Sequence, residues 1–157
     1  MNFPIVNKQL SPCHLKAEGL VKRIRGTACA SKCAVSILNR MISSAREILN
    51  DYIPDVWIYS EFTQGKNSAQ SSGYSISLSA ETLTNKRITT DLSMSLKSTK
   101  QENLPEELGK RVGLQLIDEI MYSGAVDTTF QSYVLSLMAF SEKTPSVVKL
   151  GRITEYT

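Results

Sequence analysis

At 157 residues, with 41% apolar and 21% charged side chains, this chain is long enough to bury a hydrophobic core and has the composition of an ordinary folded protein. Its apolar runs fall far short of the roughly 18 to 20 residues that a membrane-spanning helix needs, and no secretory signal pattern follows Met1. The three cysteines are too few, and odd in number, for a disulfide framework. We therefore exclude a membrane protein and a disulfide-stabilised scaffold, and we expect a reducing compartment.

The net charge of +3 conceals an uneven distribution of charge. Residues 1–46 carry eight Lys or Arg side chains and one acid, for a local charge of +7, whereas residues 47–157 carry ten basic and fourteen acidic groups, for −4. Such a basic segment attracts a phosphate backbone or an acidic protein surface. A dispersed, solvated face has the same composition, and the charge count alone does not separate the two.

Hydrophobic periodicity predicts the element order β-α-β-β-β-α-α-β. In chain order, the predicted elements are a strand over 21–30, a helix over 32–52, strands over 55–62, 74–84 and 87–96, a helix that starts at Pro105, a helix containing 130–138, and a strand over 146–153. We expect the side chain of Ser31 to cap the first helix and that of Asp127 to cap the last. Pro54 ends the first helix, because the residue before a proline avoids helical backbone angles.

The clearest strand covers Gly73–Thr82, where apolar residues alternate with serines. This period of two indicates one buried and one wet face, so the other side of the sheet is not packed into the same core. The predicted fold class is α/β of the α+β type, with a mixed sheet covered by helices on one side. We treat residues 1–157 as one domain, or part of one.

Few residues offer catalytic or metal chemistry. His14, the lone histidine, lies beside Pro12 in a loop-like stretch without a recognisable nucleophile or base, so a structural or surface role is favoured. The cysteines, at positions 13, 29 and 33, lack the spacing of a closed zinc site. Phosphate-binding glycine loops of the Walker and Rossmann types are absent, and no cofactor is predicted.

Two further patterns have both a structural and a functional interpretation. Trp57 and Tyr59 share one strand face and could stack on bases, but aromatic residues at this spacing are more often part of a core, which we favour. Gly109 and Gly113 lie four residues apart on a predicted helix, where they more simply permit close helix packing than ligand contact.

Lys22, Arg23 and Arg25 are the candidate RNA- or partner-binding residues. Arg23 and Arg25 are two apart on a strand and therefore share a face, where two guanidinium groups suit phosphate oxygens. An exposed edge strand that uses basic residues to discourage unwanted pairing would have the same sequence. Neither interpretation is favoured by the pattern.

A family resemblance rests on several segments in a fixed order. They are the basic strand Lys22–Gly26, Asn39-Arg40 on the first helix, Gly73–Thr82, Leu104–Gly109, and Gly124 onward. In this order the chain resembles the RNA 3′-terminal phosphate cyclase superfamily, and within it the cyclase-like branch of small-subunit ribosome assembly. The resemblance implies repeated α/β units, each packing two helices on a four-stranded sheet. It also implies a longer protein, of which this chain looks like a carboxy-terminal fragment.

The resemblance further implies that this chain is not a cyclase. True cyclases adenylylate a histidine with ATP, and the corresponding position here looks like Tyr156. A phenol does not readily replace an imidazole that must attack ATP and then leave. An Asp-Gln pair of the cyclases looks like Ser132-Tyr133 here. No catalytic residue, metal or cofactor is therefore expected.

The function implied by the resemblance is a nucleolar ribosome biogenesis factor for pre-rRNA processing and small-subunit (18S rRNA) assembly. Its implied partners are a processome GTPase, pre-rRNA and the U3-containing small-subunit precursor particle, with no membrane partner. Two alternatives stay open from the sequence. One is an ATP-dependent RNA cyclase with a relocated nucleophile, for which only His14 is available, and the other is an RNA endonuclease of the same assembly pathway.

Overall fold

The computed structural model describes residues 12–16, 19–96, 104–122, 124–141 and 145–157, with the backbone alone for Asn67. The chain forms two compact units, one over residues 19–121 and one that combines residues before 19 with residues from 122 on. The first, called here the main unit, contains β2 (Val21–Ser31), α1 (Val35–Asn50), β3 (Val56–Thr63), β4 (Gly73–Thr82), β5 (Arg87–Ser95) and α2 (Pro105–Met121). The second, the small unit, contains β1 (His14–Leu15), α3 (Gln131–Ala139) and β6 (Val147–Val148).

The main unit is built on a mixed four-stranded sheet in the order β3-β2-β4-β5. Strands β2 and β3 are parallel, and α1 supplies the crossover that a parallel pair requires. The other neighbours are antiparallel, and β4 and β5 form the predicted hairpin, with Asn85 at a positive φ of 59° in its turn. The predicted fold class is thus confirmed, as is the order of the elements in the main unit, whereas β1 of the small unit was not predicted.

Both helices of the main unit pack on the same face of this sheet. Thr82 at the end of β4 is buried, and the buried apolar residues of the strand are those that the sequence assigned to the buried face: Tyr74, Ile76, Leu78 and Ala80. They meet one apolar stripe from each helix, namely Leu38, Met41, Ala45 and Leu49 of α1 and Leu108, Val112 and Leu116 of α2. One core therefore lies between the helical layer and the sheet, and the other face of the sheet is left outside it.

The start of α1 differs from the prediction. Ala34 precedes its first residue, no side chain caps this end, and the hydroxyl of Ser31 instead accepts a hydrogen bond from the backbone N–H of Ala69 at 2.9 Å. Lys32, with a positive φ of 53°, turns the chain between β2 and α1, so the helix begins at Val35, beyond the reach of Ser31. The predicted Ser31 cap is wrong because that turn takes more residues than the pattern suggested.

The small unit has a short parallel pair, β1 with β6, and the helix α3. The predicted final strand over 146–153 is reduced to Val147–Val148. The carboxylate of Asp127 accepts the backbone N–H of Phe130 at 3.1 Å and so fixes the turn that precedes α3. The predicted Asp127 cap of α3 is wrong, because the helix begins only at Gln131, with Phe130 in the cap position and no side-chain cap. Gln131, fully buried, donates to the carbonyl of Arg152 and accepts from the hydroxyl of Thr157. These two bonds tie the last residues of the chain to α3.

Within the described residues, no helix is long and apolar enough to cross a membrane.

Candidate functional site on the open face of the sheet

The face of the sheet opposite the helices, called here the open face, presents mostly polar side chains in register across the four strands. One row contains Trp57, Arg25, Ser79 and Thr89, the next contains Tyr59, Thr27, Ser77 and Asp91, and a third contains Glu61, Cys29, Ser75 and Ser93. Alternate residues of a strand point to opposite faces of the sheet, so the side chains in these rows point away from the hydrophobic core. The face offers aromatic, basic, acidic and hydroxyl groups on a rigid backbone.

Arg25 lies in the Trp57 row, and its guanidinium forms a bidentate ion pair with Asp55. The two nitrogen–oxygen distances are 2.8 and 3.0 Å, and Nη1 also donates to the carbonyl of Ile24 at 2.8 Å. The hydrogen bonds between the two side chains raise the pKa of Arg25 and lower that of the Asp55 carboxyl. The pair ties the start of β3 to β2 and holds the guanidinium in a fixed position.

Arg23 lies on the same face as Arg25, as the spacing predicts, and takes part in a three-membered cluster. Its Nε contacts Oε2 of Glu81 at 2.5 Å, and Nη2 of Arg87 contacts Oε1 of the same carboxylate at 3.1 Å. The hydrogen bond from Arg23, together with the charges of both arginines, lowers the pKa of Glu81. Glu81 is largely covered, whereas the side chain of Arg87 is 70% exposed.

The lowered pKa of Glu81 predicts an acid-dependent loss of stability. Glu81→Gln should lower the free energy of unfolding at pH 7, because the carboxylate is favoured in the folded state. That contribution is complete above the ordinary glutamate pKa of about 4.3 and is lost as the pH falls through the lower, folded-state value. Denaturant unfolding at several pH values should therefore show the difference between the two proteins shrinking as the pH falls below the ordinary glutamate pKa.

Glu61→Gln is the matched control for this measurement. Glu61 lies on the same face, and its carboxylate forms no salt bridge with any residue that the structure describes. Its substitution should leave the pH dependence unchanged. A constant difference between wild type and Glu81→Gln from pH 7 to pH 3 would contradict the assignment.

Lys22 is exposed where the register of β2 and β4 shifts between Val21 and Arg23. The structure thus brings all three candidate binding residues to one end of the sheet. The adjoining segments 21–25, 55–57, 79–82 and 86–88 form what is called here the basic end, which holds Lys22, Arg23, Arg25, Lys86 and Arg87 against Asp55 and Glu81. Its net charge is +3, although Arg23 and Arg25 are both engaged in ion pairs.

Trp57 and Tyr59 are exposed, by 55% and 57% respectively. The interpretation of this pair as core is wrong. The structure places β3 at the edge of the sheet, where Val56 is buried and Ile58 and Phe62 pack against the core, and this phase turns the two large rings to the open face. The ring centroids lie 6.1 Å apart with planes inclined by 64°, so the rings are not stacked on each other.

The end of the open face remote from the basic end forms a groove of about 500 Å³, whose mixed polar and apolar lining includes several serines, Cys29 and Glu61. The thiol of Cys29 lies 3.7 Å from a carboxylate oxygen of Glu61. Burial, followed by the charge of Glu61, raises the pKa of Cys29 above its ordinary value. Cys29 is therefore a protonated thiol at neutral pH and not an activated nucleophile.

The other residues singled out from the sequence lie elsewhere. Cys33 donates its S–H towards the carbonyls of Ser31 and Gly73, and His14 is exposed on β1 of the small unit. In the described ranges no group of three or more His, Cys, Asp or Glu side chains is arranged to hold a metal ion. Tyr156 is 91% exposed in the small unit.

Comparison with known proteins shows similarity over nearly the entire chain. Residues 16–121, almost the bounds of the main unit, match the family model described as RNA 3′-terminal phosphate cyclase (RTC), insert domain. The human RNA 3′-terminal phosphate cyclase-like protein is 39% identical over 152 residues, which cover 97% of this chain and 41% of the human protein.

Two more distant relatives support the same relationship. A probable RNA 3′-terminal phosphate cyclase-like protein of Drosophila melanogaster is 34% identical over 97% of this chain and 40% of its own length. The rRNA processing protein rcl1 of Schizosaccharomyces pombe is 32% identical over 98% of this chain and 41% of its own length. The chain thus spans about two fifths of these relatives, and the resemblance inferred from the sequence is confirmed. The chain belongs to the RNA 3′-terminal phosphate cyclase family, and its residues 16–121 match the insert domain of that family.

Proposed function

We propose that this chain is part of a ribosome biogenesis factor that acts in pre-rRNA processing and small-subunit (18S rRNA) assembly and is not a cyclase. The similarity to a protein named for rRNA processing, over 98% of this chain, is the observation that carries the proposal. The names of the other relatives, cyclase-like rather than cyclase, support the second part. The site of action proposed is the nucleolus.

The chemistry of the described residues supports a binding role. Tyr156 stands where the resemblance puts the histidine of a cyclase, and a phenol is poorly suited to that covalent chemistry. Cys29 is held as a neutral thiol. The partners proposed for the whole protein are a processome GTPase, pre-rRNA and the U3-containing small-subunit precursor particle, and the basic end is the contact surface proposed on this chain.

A charge substitution at the basic end tests the contact surface. Lys22→Glu combined with Arg23→Gln and Arg25→Gln removes the three candidate cations and adds one carboxylate, at the exposed position 22. We expect this variant, used as bait in nucleolar extract, to recover at least about fivefold less small-subunit precursor RNA and processome GTPase, since lost cations weaken phosphate contacts steeply. The readout is quantification of both bound species, with folding checked by circular dichroism.

The helical layer offers a matched control with the same change in charge. Lys110→Glu with Arg46→Gln and Arg111→Gln alters exposed positions of α1 and α2, away from the sheet. This control should recover RNA and GTPase as the unsubstituted chain does. Equal losses for both variants would show a dependence on net charge alone and would remove the basic end as the contact. Recovery of neither partner by the folded, unsubstituted chain would overturn the function proposed for it.

A further inference from the structure

The exposed aromatic pair on β3 is not explained by the packing of the main unit. Trp57 and Tyr59 lie two residues apart on the open face, and more than half of each side chain is accessible to solvent. No helix of the main unit covers this surface of the sheet. Two large aromatic side chains exposed side by side are typical of a surface that binds a partner. The two rings meet edge to face and are not stacked on each other, and the exposed part of each remains accessible to other planar groups.

Positive charge adjoins this pair directly. Trp57 is itself part of the basic end, whose net charge is +3, and its register partner on the neighbouring strand is Arg25. Lys22 on β2 is exposed, the side chain of Arg87 on the far edge strand β5 is 70% exposed, and Asp55 holds Arg25 in position. Planar rings beside exposed cations suit bases and phosphates together.

The arrangement favours unpaired over duplex RNA. Stacking on a side chain requires an uncovered base face, which a base in a duplex does not present. The hydroxyls of Thr27, Ser77 and Ser79 extend the surface across the sheet with groups that both donate and accept hydrogen bonds. Glu61 lies in the next row beyond Tyr59, and its carboxylate limits the footprint along β3 to about two or three nucleotides.

We propose that the open face of the sheet binds single-stranded RNA, with Trp57 and Tyr59 stacking on successive bases and the basic end contacting the phosphates. This proposal rests on the proposed function in that pre-rRNA would supply the strand. It goes beyond that function by assigning a base-stacking surface to an edge strand of the unit.

Trp57 is the only tryptophan of the chain, so its fluorescence reports on this surface alone. The experiment titrates the complete 157-residue chain with an unstructured, fluorescein-labelled RNA decamer and with the same decamer annealed to its complement. We expect saturable quenching of Trp57 by the single strand, and binding to the duplex that is at least about tenfold weaker. The affinity should also fall as salt rises, because phosphate contacts release counterions.

Substitutions separate stacking from charge. Tyr59→Ala, and Trp57→Ala measured by fluorescence anisotropy, should each weaken binding of the decamer by about tenfold, whereas Trp57→Phe, which keeps an aromatic ring, should lose less. Tyr52→Ala is the matched control, because Tyr52 is 67% exposed and lies in the loop after α1 rather than on the open face. Its affinity should be unchanged. Circular dichroism verifies that each variant is folded.

Three outcomes would overturn the proposal. In the first, the decamer binds without quenching Trp57. In the second, Tyr52→Ala and Tyr59→Ala change the affinity for the decamer equally. In the third, Trp57→Ala loses recovery of the GTPase but still binds RNA. The last result would assign the aromatic pair to a protein partner. A different result would show that the proposed role in ribosome biogenesis is wrong while RNA binding is right. In that case RNA would still quench Trp57, but the chain would recover neither small-subunit precursor RNA nor the GTPase from extract.

Discussion

Replacing Gly109 with alanine should cost about 3 kcal/mol of unfolding free energy, the upper part of the range for overpacking. Gly109 lies where α2 crosses α1, and a Cβ built on it would overlap the backbone carbonyl oxygen of Met41 and lie 3.1 Å from the backbone nitrogen of Ala45. A helix backbone cannot yield as a flexible side chain does, so α2 must move away and loosen the core stripes of both helices. Denaturant unfolding followed by circular dichroism measures the loss.

Gly113 is the control for this substitution. It lies one turn further along α2. A Cβ built on Gly113 would lie 3.6 Å from its nearest neighbour, the carbonyl oxygen of Ala45, which is an ordinary van der Waals contact. Gly113→Ala should therefore be neutral or stabilise the protein by up to about 1 kcal/mol, since alanine favours helix over glycine. Equal effects of the two substitutions would contradict the assignment of the helix crossing to Gly109.

The elements with strong periodicity were predictable because burial dominates their sequence. Serines alternate with apolar residues throughout β4, and the structure buries Tyr74, Ile76, Leu78 and Ala80 as that pattern requires. Pro105 begins α2 as predicted, because a proline tolerates the first helical position, where no backbone donor is needed. The start of α1 was less predictable, since a left-handed turn at Lys32 determines it.

The aromatic pair shows where the pattern failed and which signal was available. Large rings are usually buried. In β3, however, the positions that face the core are already occupied by the apolar residues Val56, Ile58 and Phe62. The serines of β4 also indicate that the opposite face of the sheet is wet. Taken together, these two facts place Trp57 and Tyr59 on the open face once β3 is assigned to the same sheet. The order of strands, which the sequence alone does not give, was the missing step.

The environment of the candidate cations was also beyond the sequence. Arg23 and Arg25 share a face because of their spacing, but their acidic partners are distant in the chain. Glu81 is 58 residues from Arg23, and Asp55 is 30 residues from Arg25. Only the register of β2 with β4 and β3 brings these charges together. Basic side chains in a candidate binding strand therefore indicate a charged surface without showing which of them are already paired.

Leu78→Ala should lower the free energy of unfolding by about 2 to 5 kcal/mol, the usual cost of deleting a buried leucine side chain. Leu78 is fully buried between the sheet and the helices. Its register partner on β2 is Gly26, where a Cβ would lie 2.6 Å from Cδ2 of Leu78, so the leucine occupies the space that the glycine leaves. Gly26 has no side chain that could fill the resulting cavity, which favours the upper half of this range.

Ser77→Ala, at the adjacent residue, tests whether the two faces of β4 differ as the alternation implies. Ser77 is exposed on the open face, so its substitution should change stability by less than about 0.5 kcal/mol. A large loss at Ser77 would mean that the open face is packed against something, and a small loss at Leu78 would mean that the core can collapse around the deletion. The expected contrast between neighbouring residues is what a sheet with one buried face and one binding face requires.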